Sequence, residues 1–282
     1  MSIVVTGATG QLGRLIVESL LRRGVSAGQI VALGRDVSRL SDLADRGVVV
    51  RAADYTDPAS LRAAFAGAEK LMFVSGSEAG RRVAQHRNVI AAAREAGVGL
   101  VAYTSIAHAD TAEMALAAEH RVTEEELRAS GLPYVLLRNS WYLENYTGQL
   151  PTYLAHGVAG SAGNGRVSAA TRADYAEAAA EVLTTDGHAG RTYELGGEAF
   201  TLTELAAEVA RQSGREVGYT DLPVEAYTAL LVSAGLPEPY AATLADADRG
   251  LARGELYVPV QDLEKLIGRR PTSLAEAVHA AL

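Results

Sequence analysis

The chain has 282 residues, 26 Lys and Arg against 34 Asp and Glu, a formal net charge of −8 and no cysteine. That length suits one large α/β domain or a domain with a smaller lobe, and the acidic balance argues against nucleic acid as the main partner. Without cysteine there is no disulfide framework, no thiolate nucleophile and no cysteine-ligated metal.

Residues 3–5, Ile-Val-Val, read as an apolar strand that runs straight into Gly7-Ala8-Thr9-Gly10-Gln11-Leu12-Gly13. A helix over 11–23 follows, because Leu12, Leu15, Ile16, Leu20 and Leu21 recur with helical period. Strand, glycine turn and helix in this order suit a dinucleotide pyrophosphate. Gly7 permits the tight turn, Gly10 removes a Cβ where backbone must approach phosphate, and Gly13 lets the helix sit close on the sheet. The helix N-terminus then presents free N–H groups to the anion.

Further strands are predicted at 30–33, 48–51, 71–74, 100–103 and 134–137, separated by helices at 37–46, 58–66, 81–96 and 117–130. Strand and helix alternate as a parallel sheet with crossover helices requires. Asp57 before Pro58 is a good helix start and Gly97 a good stop. Six strands are enough for both halves of a Rossmann-type, doubly wound α/β fold, so residues 1–138 are expected to form the dinucleotide-binding domain. Residues 139–282 are expected to form a smaller C-terminal α/β lobe that completes a substrate cleft, with the chain free to cross between lobes. That lobe opens with Trp141, Tyr142, Tyr146 and turns over 157–165, then a helix at 173–184 and a strand at 192–195. Helices at 202–213, 224–234, 240–253 and 273–281 follow, the last with a Ser273-x-x-Glu276 capping box.

No apolar run reaches the roughly 18 residues of a membrane span, and the N-terminus enters a strand without a basic leader, so a cytoplasmic protein is expected. The six histidines are scattered, so no metal site is expected. Exposed apolar positions leave a homo-oligomer open.

At the end of the second strand, Leu33-Gly34-Arg35-Asp36 stands where NAD-binding proteins usually carry a carboxylate for the ribose diol. Arg35 supplies a fixed cation with fork geometry for a 2′-phosphate and points to NADP(H). The alternative is a solvated Arg35 with Asp36 as ribose ligand. Asp54, after the third strand, is a candidate for the adenine edge or a simple turn cap. Ser75-Gly76-Ser77, after the fourth, offers small residues and hydroxyls where the cofactor ribose should pass.

Short-chain dehydrogenases use a Tyr-x-x-x-Lys pair as proton donor. The only lysines are Lys70 and Lys265, and four residues before them stand Ala66 and Gln261. Counting along the helix puts Leu116 and His120 where the pair would sit. Alcohol and ketone chemistry is therefore disfavoured. A quinone suits the residues better, since its hydroquinone anion is delocalised and needs no strong acid. His120 is one candidate to assist, against the reading of a helix residue satisfied by a neighbour.

The segments Val5–Gly13, Ser75–Glu78, Gln85–Ile90, Ala102–Ser105, Arg138–Asn145 and Ala170–Tyr175 together resemble the bacterial NAD(P)H:quinone oxidoreductase type 2 proteins, of the NmrA-like, atypical short-chain dehydrogenase group. The likeness extends to Thr201–Leu205 and Leu266–Gly268. It implies two-electron reduction of a quinone by direct hydride transfer from NADPH, without flavin, the cofactor being held by the glycine loop, Arg35 and a site that includes Thr104. It further implies that Asn139, Ser140, Trp141 and Tyr142 lie beside the nicotinamide end and that Arg172 reaches it from the second lobe. Trp141, Tyr142 and Tyr146 are candidates for a flat wall against the quinone, or for packing between lobes, and Tyr142 joins His120 as a catalytic candidate. Some NmrA-like proteins bind NADP(H) without turnover and act as redox sensors, which is the rival reading. A reductase or isomerase of another conjugated molecule is a third, disfavoured because such relatives generally keep the lysine that is His120 here.

Overall fold

The computed structural model describes residues 2–78 and 80–282. In its first half β1 (Ile3–Val5), α1 (Gln11–Arg22), β2 (Ile30–Gly34), α2 (Ser41–Asp45), β3 (Val49–Ala52), α3 (Pro58–Phe65), β4 (Lys70–Phe73), α4 (Arg82–Glu95), β5 (Leu100–Ile106), α5 (Ala115–Ala129) and β6 (Tyr134–Asn139) alternate. There follow α6 (Glu144–Thr147), α7 (Leu150–His156), β7 (Val158–Gly160), α8 (Arg172–Thr184), β8 (Thr192–Leu195), α9 (Leu202–Ser213) and β9 (Tyr219–Asp221). The chain ends with α10 (Val224–Ser233), α11 (Glu238–Ala252), α12 (Gln261–Ile267) and α13 (Leu274–Ala281).

Seven strands pair in parallel in the order β3-β2-β1-β4-β5-β6-β8. The order reverses direction between β1 and β4, which opens the crevice where dinucleotides bind in such sheets. Side chains alternate across the sheet. Ile3, Val5, Ile30, Ala32, Met72, Ala102 and Val135 pack with α1, α8 and α12. Val4, Val31, Leu33, Leu71, Phe73, Val101 and Leu136 face α3, α4 and α5. Helices on both faces explain why the strands read as continuous apolar runs. No described helix is long and apolar enough to cross a membrane.

Two sequence expectations are corrected here. The helix expected over 37–46 is a 3-10 turn, Val37–Leu40, followed by the short α2, because Asp36 accepts from the Ser38 N–H and winds the chain tightly from its first residue. Residues 172–195 do not belong to the smaller lobe: α8 packs on α1, and β8 extends the sheet beside β6 through Leu136↔Thr192 to Asn139↔Leu195. Leu263 and Leu266 of α12 also enter the large core. The boundary at 138 therefore marks where the chain first leaves the sheet, and it returns twice. What remains of the smaller lobe is the β7–β9 pair with α7, α9 and α13, around Tyr146, Val158, Phe200, Leu205 and Val278. Unlike the equally short β1, these two three-residue strands carry no apolar run that marks them in sequence.

A buried ion network ties α5 to β6 and β8. Arg138, 4% exposed, bonds Glu124 at 2.6 and 2.8 Å and Glu194 at 2.9 Å. Glu124 is fully buried and also accepts from the Ser105 hydroxyl at 2.6 Å. Removing Arg138 leaves the buried Glu124 carboxylate with only the Ser105 hydroxyl and the more exposed Arg128. Arg138→Ala should cost about 3–5 kcal/mol by urea denaturation, whereas Glu95→Ala, which breaks the exposed Arg62–Glu95 pair, should cost under about 1 kcal/mol.

Candidate active site

The glycine loop is built from backbone contacts. Gly7 has φ +61° and carries the turn off β1. Its carbonyl accepts from the Gly10 N–H at 2.9 Å, and a Cβ on Gly13 would lie only 2.3 Å from the same oxygen. Helix α1 therefore touches the turn with its main chain, and alanine does not fit at 13. Gly10 caps α1 in extended conformation without any side-chain cap, so the first-turn N–H groups stay free for an anion. Ala8 N–H donates to the Leu33 carbonyl at 2.8 Å and anchors the loop to β2.

Gly34, at the end of β2, has a steric cause. A Cβ at 34 would meet Thr9 Cγ2 at 2.3 Å. Arg35 comes next, with its side chain 71% exposed and paired to Glu78 at 3.2 Å. Asp36 is engaged locally: its Oδ1 accepts from the Ser38 N–H at 3.1 Å and hydroxyl at 2.6 Å, which lowers its pKa. Asp54 is likewise taken up by its own turn, through the Thr56 N–H and hydroxyl at 2.8 Å each, and these bonds lower its pKa. The turn thus engages Asp54 through Oδ1.

The loop after β4 rests on groups to which the sequence reading gave no role. Ser75 N–H donates to Thr104 Oγ1 at 2.8 Å, bringing these two candidates together at the sheet edge, while Ser77 is exposed. Gly76 N–H donates to His86 Nε2 at 3.0 Å, and Arg82 Nε donates to the Gly76 carbonyl at 2.7 Å. With Nε2 accepting, the proton sits on Nδ1, which donates to Thr123 Oγ1 at 2.8 Å. The Tyr55 hydroxyl donates to the Val74 carbonyl at 2.7 Å and shares a second hydrogen bond with the Thr6 hydroxyl at 2.5 Å. The Gln85–Ile90 block was visible in the sequence, but polar residues inside a helix gave no sign of the loop they would meet.

At the other side of the crevice, β6 ends at Asn139. Its Oδ1 is buried without a hydrogen-bond partner. Tyr142 bridges to Ala170, stacks edge-on to Tyr175 and lies under the Arg172 guanidinium, 4.4 Å from the ring centroid. Arg172 is held by Asn145 Oδ1 at 3.0 Å and Glu144 at 3.4 Å. Burial raises the Tyr142 phenol, and a hydrogen bond with Asn139 opposes the rise. Asn139, Tyr142 and Arg172 therefore form one group.

Three candidates stand elsewhere. Ser140 is buried and donates to the Leu256 carbonyl at 2.7 Å, so its hydroxyl joins segments of the fold. Tyr146 packs edge-on against Phe200 in the smaller core, 8% exposed, which is the packing alternative. His120 is 5% exposed and shares a 2.7 Å hydrogen bond with Tyr103, while desolvation keeps it neutral. It is a core histidine satisfied by a neighbour, not an open proton donor. Trp141 stays partly exposed against the smaller core. Among the described residues no group of three or more His, Asp or Glu is placed to hold a metal ion.

The model of the NmrA-like family matches residues 1–278. The chain belongs to the NmrA-like family. It is 51% identical over 278 residues to quinone oxidoreductase 2 of Escherichia coli (strain K12), covering 98% of this chain and 97% of that one. The crystal structure of NADPH-dependent quinone oxidoreductase QOR2 from Escherichia coli complexed with NADPH matches at a TM-score of 0.96 and 50% identity, over 99% of each chain. The Citrobacter sp. triphenylmethane reductase complexed with NADP(H) matches at 0.95 and 42%, over 100% of each.

Desolvation depresses the His86 pKa to about 3, below its ordinary 6.5. The unfolded chain therefore binds more protons between these values. The stability His86 contributes is complete above pH 6.5 and is lost as pH falls toward 3, by about 1.4 kcal/mol per pH unit. His86→Gln should flatten the decline of Tm between pH 6.5 and 4.5; an unchanged slope would place the titration elsewhere.

Proposed function

We propose that the protein is an NADPH-dependent quinone reductase that transfers two electrons to a small-molecule quinone in the cytoplasm. The observation that carries this reading is the likeness, over nearly the whole of both chains, to the NADPH-bound Escherichia coli quinone oxidoreductase. The residues fit the cofactor. The uncapped N-terminus of α1 and the Cβ-free approach at Gly10 and Gly13 suit a pyrophosphate. Arg35 suits a 2′-phosphate, and the engagement of Asp36 by Ser38 supports it over the ribose-ligand alternative. Asn139 Oδ1 lacks a donor, and a carboxamide N–H would satisfy it.

When bound, the reduced nicotinamide supplies the hydride directly to the acceptor. The chain positions the reactants and keeps water out. Asn139 and Arg172 hold the Tyr142 phenol, whose raised pKa keeps it a neutral donor at ordinary pH. Tyr142 and Trp141 provide aromatic surface for a flat acceptor. Because a hydroquinone anion is weakly basic, a phenol or water completes the protonation without a lysine.

Oxidation of NADPH, followed at 340 nm with a benzoquinone and no added flavin, tests the reading. Turnover should require protein and quinone and should be abolished in Gly10→Val. Arg35→Ala should raise KM for NADPH at least tenfold, one phosphate contact being worth about 1.5–3 kcal/mol, with little change for NADH. Tight NADPH binding without turnover would favour the redox-sensor reading, and equal losses for both cofactors would reject the role of Arg35.

A further inference from the structure

Strands β2 and β4 flank β1 in the sheet. Arg35 follows β2 directly, and Glu78 lies in the loop after β4. Their ion pair at 3.2 Å therefore crosses the C-terminal end of β1, where the glycine turn begins. Arg35 Nη1 meets Glu78 Oε1, while Glu78 Oε2 accepts from Gln85 Nε2 at 3.1 Å and pairs with Arg81 at 3.4 Å. The loop that carries Glu78 is anchored on both sides. His86 and Arg82 hold Gly76, and the Gly80 N–H donates to Glu119 Oε1 at 3.0 Å.

We propose that Glu78 sets the cofactor preference by competing with the 2′-phosphate of NADPH for Arg35, an inference that rests on the NADPH reading above. The two oxygens of Glu78 divide the work. Oε1 alone holds Arg35, so giving up that guanidinium leaves the carboxylate with Arg81 and Gln85 and strands no charge. Arg35 in turn needs a new anion. An exposed ion pair is worth little, and a phosphate offers more charge and more acceptor oxygens to the same fork. NADH brings no anion to this position, so it leaves the pair closed. Glu78 thus lowers the affinity for NADPH alone, by the free energy of the pair that NADPH must open, and narrows the margin over NADH. The anchored loop keeps the competing carboxylate in reach of Arg35 in the free protein.

Isothermal titration of NADP+ and NAD+, without turnover, tests this. In Glu78→Gln the dissociation constant for NADP+ should fall about two- to fivefold, the range expected for releasing an exposed pair. That for NAD+ should not change. In an Arg35→Ala background the same substitution should alter neither, because the competed group is gone. Weaker NADP+ binding in Glu78→Gln would mean that the carboxylate orients Arg35, and parallel changes for both dinucleotides would mean a loop effect; either overturns the proposal. An effect that survives in the Arg35→Ala background also overturns it. If Arg35→Ala alone leaves the NADP+ to NAD+ ratio unchanged, the phosphate reading itself fails. If the ratio collapses while Glu78→Gln does nothing, only the competition fails. Circular dichroism of Glu78→Gln checks that this partly exposed site leaves the fold intact.

Discussion

Helix α1 touches the turn before it through main-chain atoms, and the sheet edge is arranged around that contact. With no Cβ at Gly13, the first turn of the helix rests on the Gly7 carbonyl. The helix axis is thereby fixed relative to β1, and its free N–H groups face one place above the switch between β1 and β4. Thr9 can then lie flat on Gly34 only because that residue also lacks a side chain. Arg35, next in sequence, is delivered beside the loop. Three glycines in two separate segments thus serve one geometric requirement: a side chain at Gly13 would meet the Gly7 backbone, one at Gly34 would meet the Thr9 side chain, and one at Gly7 would strain its left-handed backbone.

The same helix recruits the second half of the chain. Helix α8 packs on α1, and β8 closes the sheet beside β6. The segment between Asn139 and Arg172 leaves the sheet from β6 and returns to it through α8, so both of its ends are fixed by the large core. Trp141 and Ala170 pair across it, and the Leu143 N–H donates to Ala170. Asn139, Tyr142 and Arg172 meet because the excursion closes on itself. Their positions are set by elements packed into the large core, which suits a site that depends on orientation.

Local patterns made the Rossmann half legible in the sequence. The Gly7 to Gly13 turn, the apolar strands and the Asp57-Pro58 start each depend on neighbours in the chain, and their ends shift by at most three residues. What could not be read depends on contacts between distant segments. Gly34 had no visible reason until Thr9 lay on it. Tyr142 and Tyr146 are close in sequence and chemically alike, yet one sits under Arg172 and the other against Phe200. The strand at 192–195 was visible, but its place beside β6 follows from the packing of α8 on α1. His120 was found by counting to a familiar catalytic position, and its partner, Tyr103, lies on another element.

The distribution of titratable groups bears on the chemistry. His86 and His120 are both buried and held neutral by desolvation, so each is an uncharged hydrogen-bonding partner at ordinary pH. Tyr103 is fully buried and its phenol is pushed up. No lysine stands near to counter that rise, since Lys70 donates to the Leu183 carbonyl instead. A tyrosine acid activated by a neighbouring lysine is therefore not what this fold has built between β5 and α5. An acceptor that spreads the arriving electrons over a ring asks only for orientation and a weak donor, which in the proposed reading the group formed by Asn139, Tyr142 and Arg172 supplies.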